Sequence, residues 1–176
     1  MELVRIGDKL VSLEKIYAMV EDILKARERG LSQSEVATRY GVDRPFVSRL
    51  EALGEVRKGR SIAVIGFPVA NPQAVYALTE RLGVDFTWVM TDEERRTFAE
   101  SKNGIELVNE IFRMAQQVRR YDAVILMASN ARVRLLSQLL DAHQVIPLIL
   151  GPTPLTQDVP VDLDQLAAII RQLQTG

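Results

Sequence analysis

Arg44, Ser48 and Arg49 stand within six residues of one another, at a spacing that a helix would bring to one side. A guanidinium is a rigid fork of donors that matches paired acceptors such as O6 and N7 of guanine, and a serine hydroxyl bonds a base edge or a phosphate. Arg57, Lys58 and Arg60 follow closely, so the stretch from Arg44 to Arg60 carries five basic and two acidic residues. That balance suits contact with phosphates. Elsewhere the reactive groups are sparse. The chain has no cysteine, and His143 is its one histidine, which leaves little for thiolate, nucleophilic or metal chemistry.

Local signals supply the elements that would carry these side chains. Ser32 and Glu35 have capping-box spacing, in which hydroxyl and carboxylate satisfy each other's free backbone donors, so a helix is predicted to start at Gln33. Val36 and Ala37 mark its inner face, and Gly41 can take the left-handed conformation that ends it. Asp43 offers an oxygen to a second helix start, with Pro45 in the first turn where a missing N–H does no harm. Phe46, Val47 and Leu50 are expected to form its buried stripe. Arg44, Pro45, Ser48 and Arg49 are left outside.

Two short helices joined at a glycine make a helix-turn-helix. Gln33, the small Ala37, Gly41-Val42, Val47 and Leu50 resemble the signature of the phage-repressor (Cro/C1-like) helix-turn-helix superfamily, and Ser48-Arg49-Leu50-Glu51 resembles the end of its recognition helix. The likeness covers Leu31 to Arg60. It implies that Arg44, Pro45, Ser48 and Arg49 face the major groove of double-stranded DNA. Together with charge, it gives Ser32, Gln33, Arg44, Pro45, Ser48, Arg49, Arg57, Lys58 and Arg60 as the expected DNA contacts. A pattern of this kind also occurs where helices merely pack or dock a protein.

The 176 residues, 47% of them hydrophobic, suffice for two small domains. Absence of cysteine fits a reducing cytoplasm, and neither a twenty-residue apolar run nor a signal-peptide layout is present, so no membrane association is expected. Net charge is −1, but it divides unevenly: 12 basic and 10 acidic residues over 1–60, against 10 and 13 over 61–176. So slight an excess predicts weak non-specific affinity, and tight binding would call for a homodimer presenting two reading heads.

Taken in order, Met1 to Val11 reads as a hairpin about Gly7-Asp8, and Leu13 to Arg29 as a supporting helix burying Ile16, Met19, Val20, Ile23 and Leu24. From residue 61 the rhythm changes. Apolar runs at Ile62–Val69, Phe86–Met90, Ala123–Ala128 and Val145–Leu150 alternate with amphipathic helical sequence: Asn71–Leu82, the polar stretch opened by Thr91-Asp92, Ile105–Val118, a helix capped by Asn130 that uses Leu135, Leu136, Leu139 and Leu140, and a last stripe from Leu163 to Leu173. The fold expected is α/β: an N-terminal all-α helix-turn-helix domain over 1–60, its first residues a hairpin, and over 61–176 a small four-stranded parallel sheet flanked by helices, Rossmann-like or flavodoxin-like. Pro147 predicts that the fourth strand lies at an edge.

In such sheets ligands bind beyond the carboxyl ends of the strands. Those ends hold Gly66, Phe67, Pro68 and Asn71, then Thr91, then Ser129 and Asn130, then Gly151 and Thr153. They would suit a small polar or anionic effector, or serve only as caps and turns. GFPVANPQ has the spacing of neither a dinucleotide fingerprint nor a phosphate loop, so no cofactor is expected. Phe67-Pro68 and Ser129-Asn130 stand where a phospho-acceptor domain would need acids. Asp92-Glu93-Glu94-Arg95-Arg96 reads as a solvated first turn, Trp88 as core, and His143 as a surface residue near a helix C-terminus. The reading is a bacterial, cytoplasmic, homodimeric transcriptional regulator without enzyme activity. Its rivals are a small enzyme working through Ser129, Asn130 or Thr91, and a protein-interaction module.

Overall fold

The computed structural model describes residues 2–56 and 61–175. The chain is mixed α/β, with eight helices, a two-stranded antiparallel sheet and a four-stranded parallel sheet among the described residues. It folds as two compact units, Met1–Glu55 and Val56–Gly176. No helix among the described residues is long and apolar enough to cross a membrane.

The first unit is not all-α. Strands β1 (Leu3–Ile6) and β2 (Lys9–Ser12) pair antiparallel about Gly7, whose φ of 58° is the left-handed value such a tight turn needs. Three helices follow: α1 (Leu13–Glu28), α2 (Gln33–Tyr40) and α3 (Arg44–Gly54). Ile23, Ala26, Val36, Ala37 and Val47 form their shared core.

Burial on α1 is narrower than its apolar pattern predicts. Ile23 and Ala26, in its second half, are buried, whereas Ile16, Met19 and Leu24 are 43%, 46% and 40% exposed. The other helices cover one side of its C-terminal half and leave the remainder of the stripe bare. Phe46 likewise departs from expectation at 42% exposed, because the inner face of α3 narrows to Val47 and Leu50.

The second unit runs β3 (Ile62–Gly66), α4 (Pro72–Arg81), β4 (Phe86–Val89), α5 (Asp92–Glu100), α6 (Gly104–Val118), β5 (Ala123–Ser129), α7 (Asn130–Ser137), β6 (Val145–Gly151) and α8 (Leu163–Gln174). All four strands are parallel, in the order β4-β3-β5-β6. Every residue of β3 and β5 is buried, as strands covered on both faces must be. One face packs Ile62, Val64, Ile125 and Met127 under α4 and α8, and the other packs Ala63, Ile65, Val124 and Leu126 with Val118 and Val133. Pro147 lies opposite Leu126 on β6, an edge strand, where a missing N–H breaks no outer ladder.

Several boundaries differ from the sequence reading, most of them by a single residue. β3 stops at Gly66 and not Val69, since Val69 pairs with Val159 in a separate bridge. The N-cap of α7 is Ser129, with Asn130 the first helical residue. That helix ends at Ser137, leaving Leu139 and Leu140 in the turn that follows. His143 lies in the turn before β6, and the buried Gln144 beside it donates to the carbonyls of Val118 and Tyr121, pinning the end of α6.

Candidate functional site

The caps of α2 and α3 set the angle at which α3 is displayed. Ser32 Oγ accepts from the Glu35 amide at 3.2 Å while a Glu35 carboxylate oxygen accepts from the Ser32 amide at 2.7 Å. The Ser32 hydroxyl first, and then the Ser32 amide, hold the Glu35 carboxyl below its ordinary pKa. Gly41, at φ 67°, ends α2, and the Val42 amide reaches back to the Ala37 carbonyl at 3.0 Å. Asp43 Oδ1 then accepts from the Phe46 amide at 2.7 Å to start α3, with Pro45 in its first turn. Ala37 is buried in the shared core, so nothing much larger fits between the helices.

With Val47 inward, Arg44, Pro45, Ser48 and Arg49 are exposed on the outer side of α3. Among the described residues neither Arg44 nor Arg49 enters an ion pair, so both guanidiniums keep their donors for a partner. Ser32 is exposed, its oxygen accepting the cap bond and its hydroxyl set against the Glu35 carboxylate. Arg57, Lys58 and Arg60 lie outside the described residues.

Gln33 has a role that the sequence reading did not anticipate. Its Nε2 donates to Glu51 Oε2 at 2.9 Å, while Arg27 Nε donates to Glu51 Oε1 at 2.5 Å and Arg27 Nη1 to the Leu31 carbonyl. One carboxylate thus ties α1, α2 and α3 together. The Arg27 hydrogen bond first, then the Gln33 bond, hold the Glu51 carboxyl below its usual range.

At the carboxyl edge of the parallel sheet the predicted polar groups do meet, but largely one another. Thr153 Oγ1 donates toward Ser129 Oγ at 2.8 Å and lies 3.0 Å from Asn130 Oδ1, which also accepts from the Thr153 amide at 3.0 Å. Asn71 makes no cap bond to α4; its amide group pairs both ways with the backbone of Val161, at 2.8 and 3.0 Å. Thr91 Oγ1 caps α5 by accepting from the Glu94 amide at 3.1 Å. The Pro68 carbonyl accepts from Val159, and Phe67 N–H donates to Met127.

The two glycines have packing reasons. A Cβ on Gly66 would stand 2.7 Å from Met127 Cε and 3.1 Å from its Cβ, and one on Gly151 would stand 3.0 Å from Leu155 Cδ2. The run from Asp92 to Arg96 is more organised than a solvated turn. Asp92 pairs with Arg95 at 2.6 Å and Arg96 at 2.5 Å, and these two bonds, Arg95 first, lower its pKa.

Compared with family models, curated proteins and solved structures, the chain finds no match. The two surfaces described here therefore carry the functional argument by their own chemistry.

The Arg27–Glu51 pair escaped the sequence reading because the two residues lie 24 apart and no local motif joins them. An opposite charge at each of two helix ends was the only sign, and it is a common one.

Proposed function

We propose that the chain is a sequence-specific DNA-binding transcriptional regulator that acts as a homodimer through helix-turn-helix heads. The observation that carries this reading is the outer side of α3, where Arg44, Pro45, Ser48 and Arg49 are exposed and both arginines are unpaired among the described residues. A helix of this width enters the major groove, and its N-terminal residues are the ones that reach base edges. The Arg27–Glu51–Gln33 clamp supports the reading, since a recognition helix must be held at a fixed angle.

In this proposal the α/β unit joins two copies and receives a small effector. No catalytic role is included: among the described residues neither Ser129 nor Thr153 hydroxyl is hydrogen-bonded to a histidine, a lysine or a carboxylate. Binding in the cytoplasm of a bacterium is the setting proposed.

Selection from a pool of random duplexes by the purified chain tests the proposal. Enrichment of a motif with two-fold symmetry, whose affinity falls steeply with salt, is the expected result. Recovery of unenriched sequence would remove the DNA reading and return the exposed helix to the protein-docking alternative.

A further inference from the structure

A cavity of about 310 Å³ lies between helices α5 and α6 and the sheet face opposite α4 and α8. Ile65 and Leu126 form its floor, and Phe98 of α5 and Ile111 of α6 stand at its sides. Phe67 and Met90, the residues that follow β3 and β4, also line it, so it lies beside the strand ends where open parallel sheets take ligands. The volume falls at the small end of the range for ligand pockets, roughly 300–1,000 Å³. An apolar hole of about 150 Å³ accepts benzene, so this one accepts a body about two rings in size.

Charge in the lining is already cancelled. Among the described residues two ionised side chains border the cavity, Arg95 and Glu110. Arg95 donates from Nε and Nη2 to Asp92 Oδ1, at 3.2 and 2.6 Å, and Glu110 Oε2 accepts from Arg113 Nη1 at 2.8 Å. An anion here would compete with Asp92, and a cation with Arg113, each after losing its water to an otherwise apolar wall. Neither sign of charge gains a partner. The rings point the same way. Trp88 and Phe98 meet edge to face with 5.6 Å between centres, and Phe67 adds a third ring to the lining. Aromatic surfaces of this kind take flat apolar bodies by stacking and edge contact.

We propose that the α/β unit binds a neutral apolar ring compound in the cavity between the sheet and helices α5 and α6. This names the effector class for the proposed regulator and rests on that reading only for its regulatory meaning. It also moves the effector away from the strand-end polar groups, which bond one another and the backbone.

The test uses the full chain and 6-propionyl-2-(dimethylamino)naphthalene, a neutral two-ring dye. Light absorbed by Trp88, the one tryptophan in the sequence and itself part of the lining, passes to the bound dye. Saturable transfer at one dye per chain is expected. 2-Methylnaphthalene should displace the dye, and 2-naphthoate and 2-naphthylmethylammonium should each do so roughly ten-fold less well or worse. Ala99→Leu on α5 and Ala115→Leu on α6, which fill the cavity from two helices, should each abolish transfer while keeping the far-ultraviolet circular dichroism of the parent. The displacement order is read in the unaltered protein, so it stands whether or not those variants fold.

No saturable transfer, displacement by either ion equal to that by the neutral compound, or transfer retained in either variant once folded would each overturn the proposal. Sedimentation alongside decides the remaining case: dye binding that tracks dissociation of an oligomer would give this face to a second copy of the chain and overturn it too. None of these measurements contains DNA, so they stand or fall separately from the helix-turn-helix reading.

Discussion

Arg27 of α1 and Glu51 of α3 meet at 2.5 Å, each with about a third of its side chain exposed. Because Glu51 also holds Gln33 of α2, a single carboxylate sets the mutual angles of the three helices. The outer surface of α3 is therefore fixed from its rear.

The first prediction concerns that carboxylate. Its folded pKa lies below the ordinary value of about 4.3, so the unfolded chain binds the proton more readily. The stabilisation is complete above the unfolded pKa and is lost as pH falls through the folded one. Glu51→Gln should cost about 0.5–1 kcal/mol at pH 7, given the partial exposure, and little at pH 3. Thermal melts of both proteins across that range check it; equal differences at both pH values would mean the charge is not what matters.

Gly41 turns the chain from α2 into α3 at φ 67°. No atom stands within 4 Å of where its Cβ would be, so any penalty is purely conformational. Gly41→Ala is expected to lose about 1–2 kcal/mol, and Gly41→Asn less, by denaturant unfolding. An alanine variant as stable as the parent would show that the turn relaxes.

Such local features were the legible ones. Ser32 with Glu35, Gly41, Asp43 with Pro45, and the four apolar strands are each encoded within a few residues, and so is the edge placement signalled by Pro147. Pairings set by tertiary structure were not legible. Asn71 reads locally as a cap, but its partner Val161 is 90 residues away. Trp88 reads as core and does pack against the buried cluster of one sheet face, but it also borders a cavity lined by Phe98, Leu107 and Ile111, while Ile105 and Phe112 of α6 stay 77% and 63% exposed. A strongly amphipathic helix announces an apolar face without saying how closely that face approaches the sheet.

Asn71 supplies a further test, because it was expected to serve a ligand. Its side chain satisfies both backbone groups of the buried Val161, and Asn71→Ala should therefore destabilise the α/β unit by about 1–3 kcal/mol. Calorimetry of the full chain measures the loss. Unchanged stability would reopen a direct role in ligand binding.

Arg132 makes the opposite prediction. Removing a buried donor that has no partner should raise stability, so Arg132→Met is expected to gain about 1 kcal/mol. A lowered melting temperature would mean that the guanidinium is satisfied in solution by something the protein or water supplies.

The most direct test of the central claim is the ratio of specific to non-specific DNA affinity in the parent and in Arg44→Ala and Arg49→Ala, measured at fixed salt on the selected duplex and on random DNA. If α3 reads bases, whichever arginine forks onto a guanine should lose about 1–3 kcal/mol of that discrimination on truncation, with unchanged circular dichroism. If both variants keep the parent's ratio, α3 does not read sequence and the proposed function is wrong.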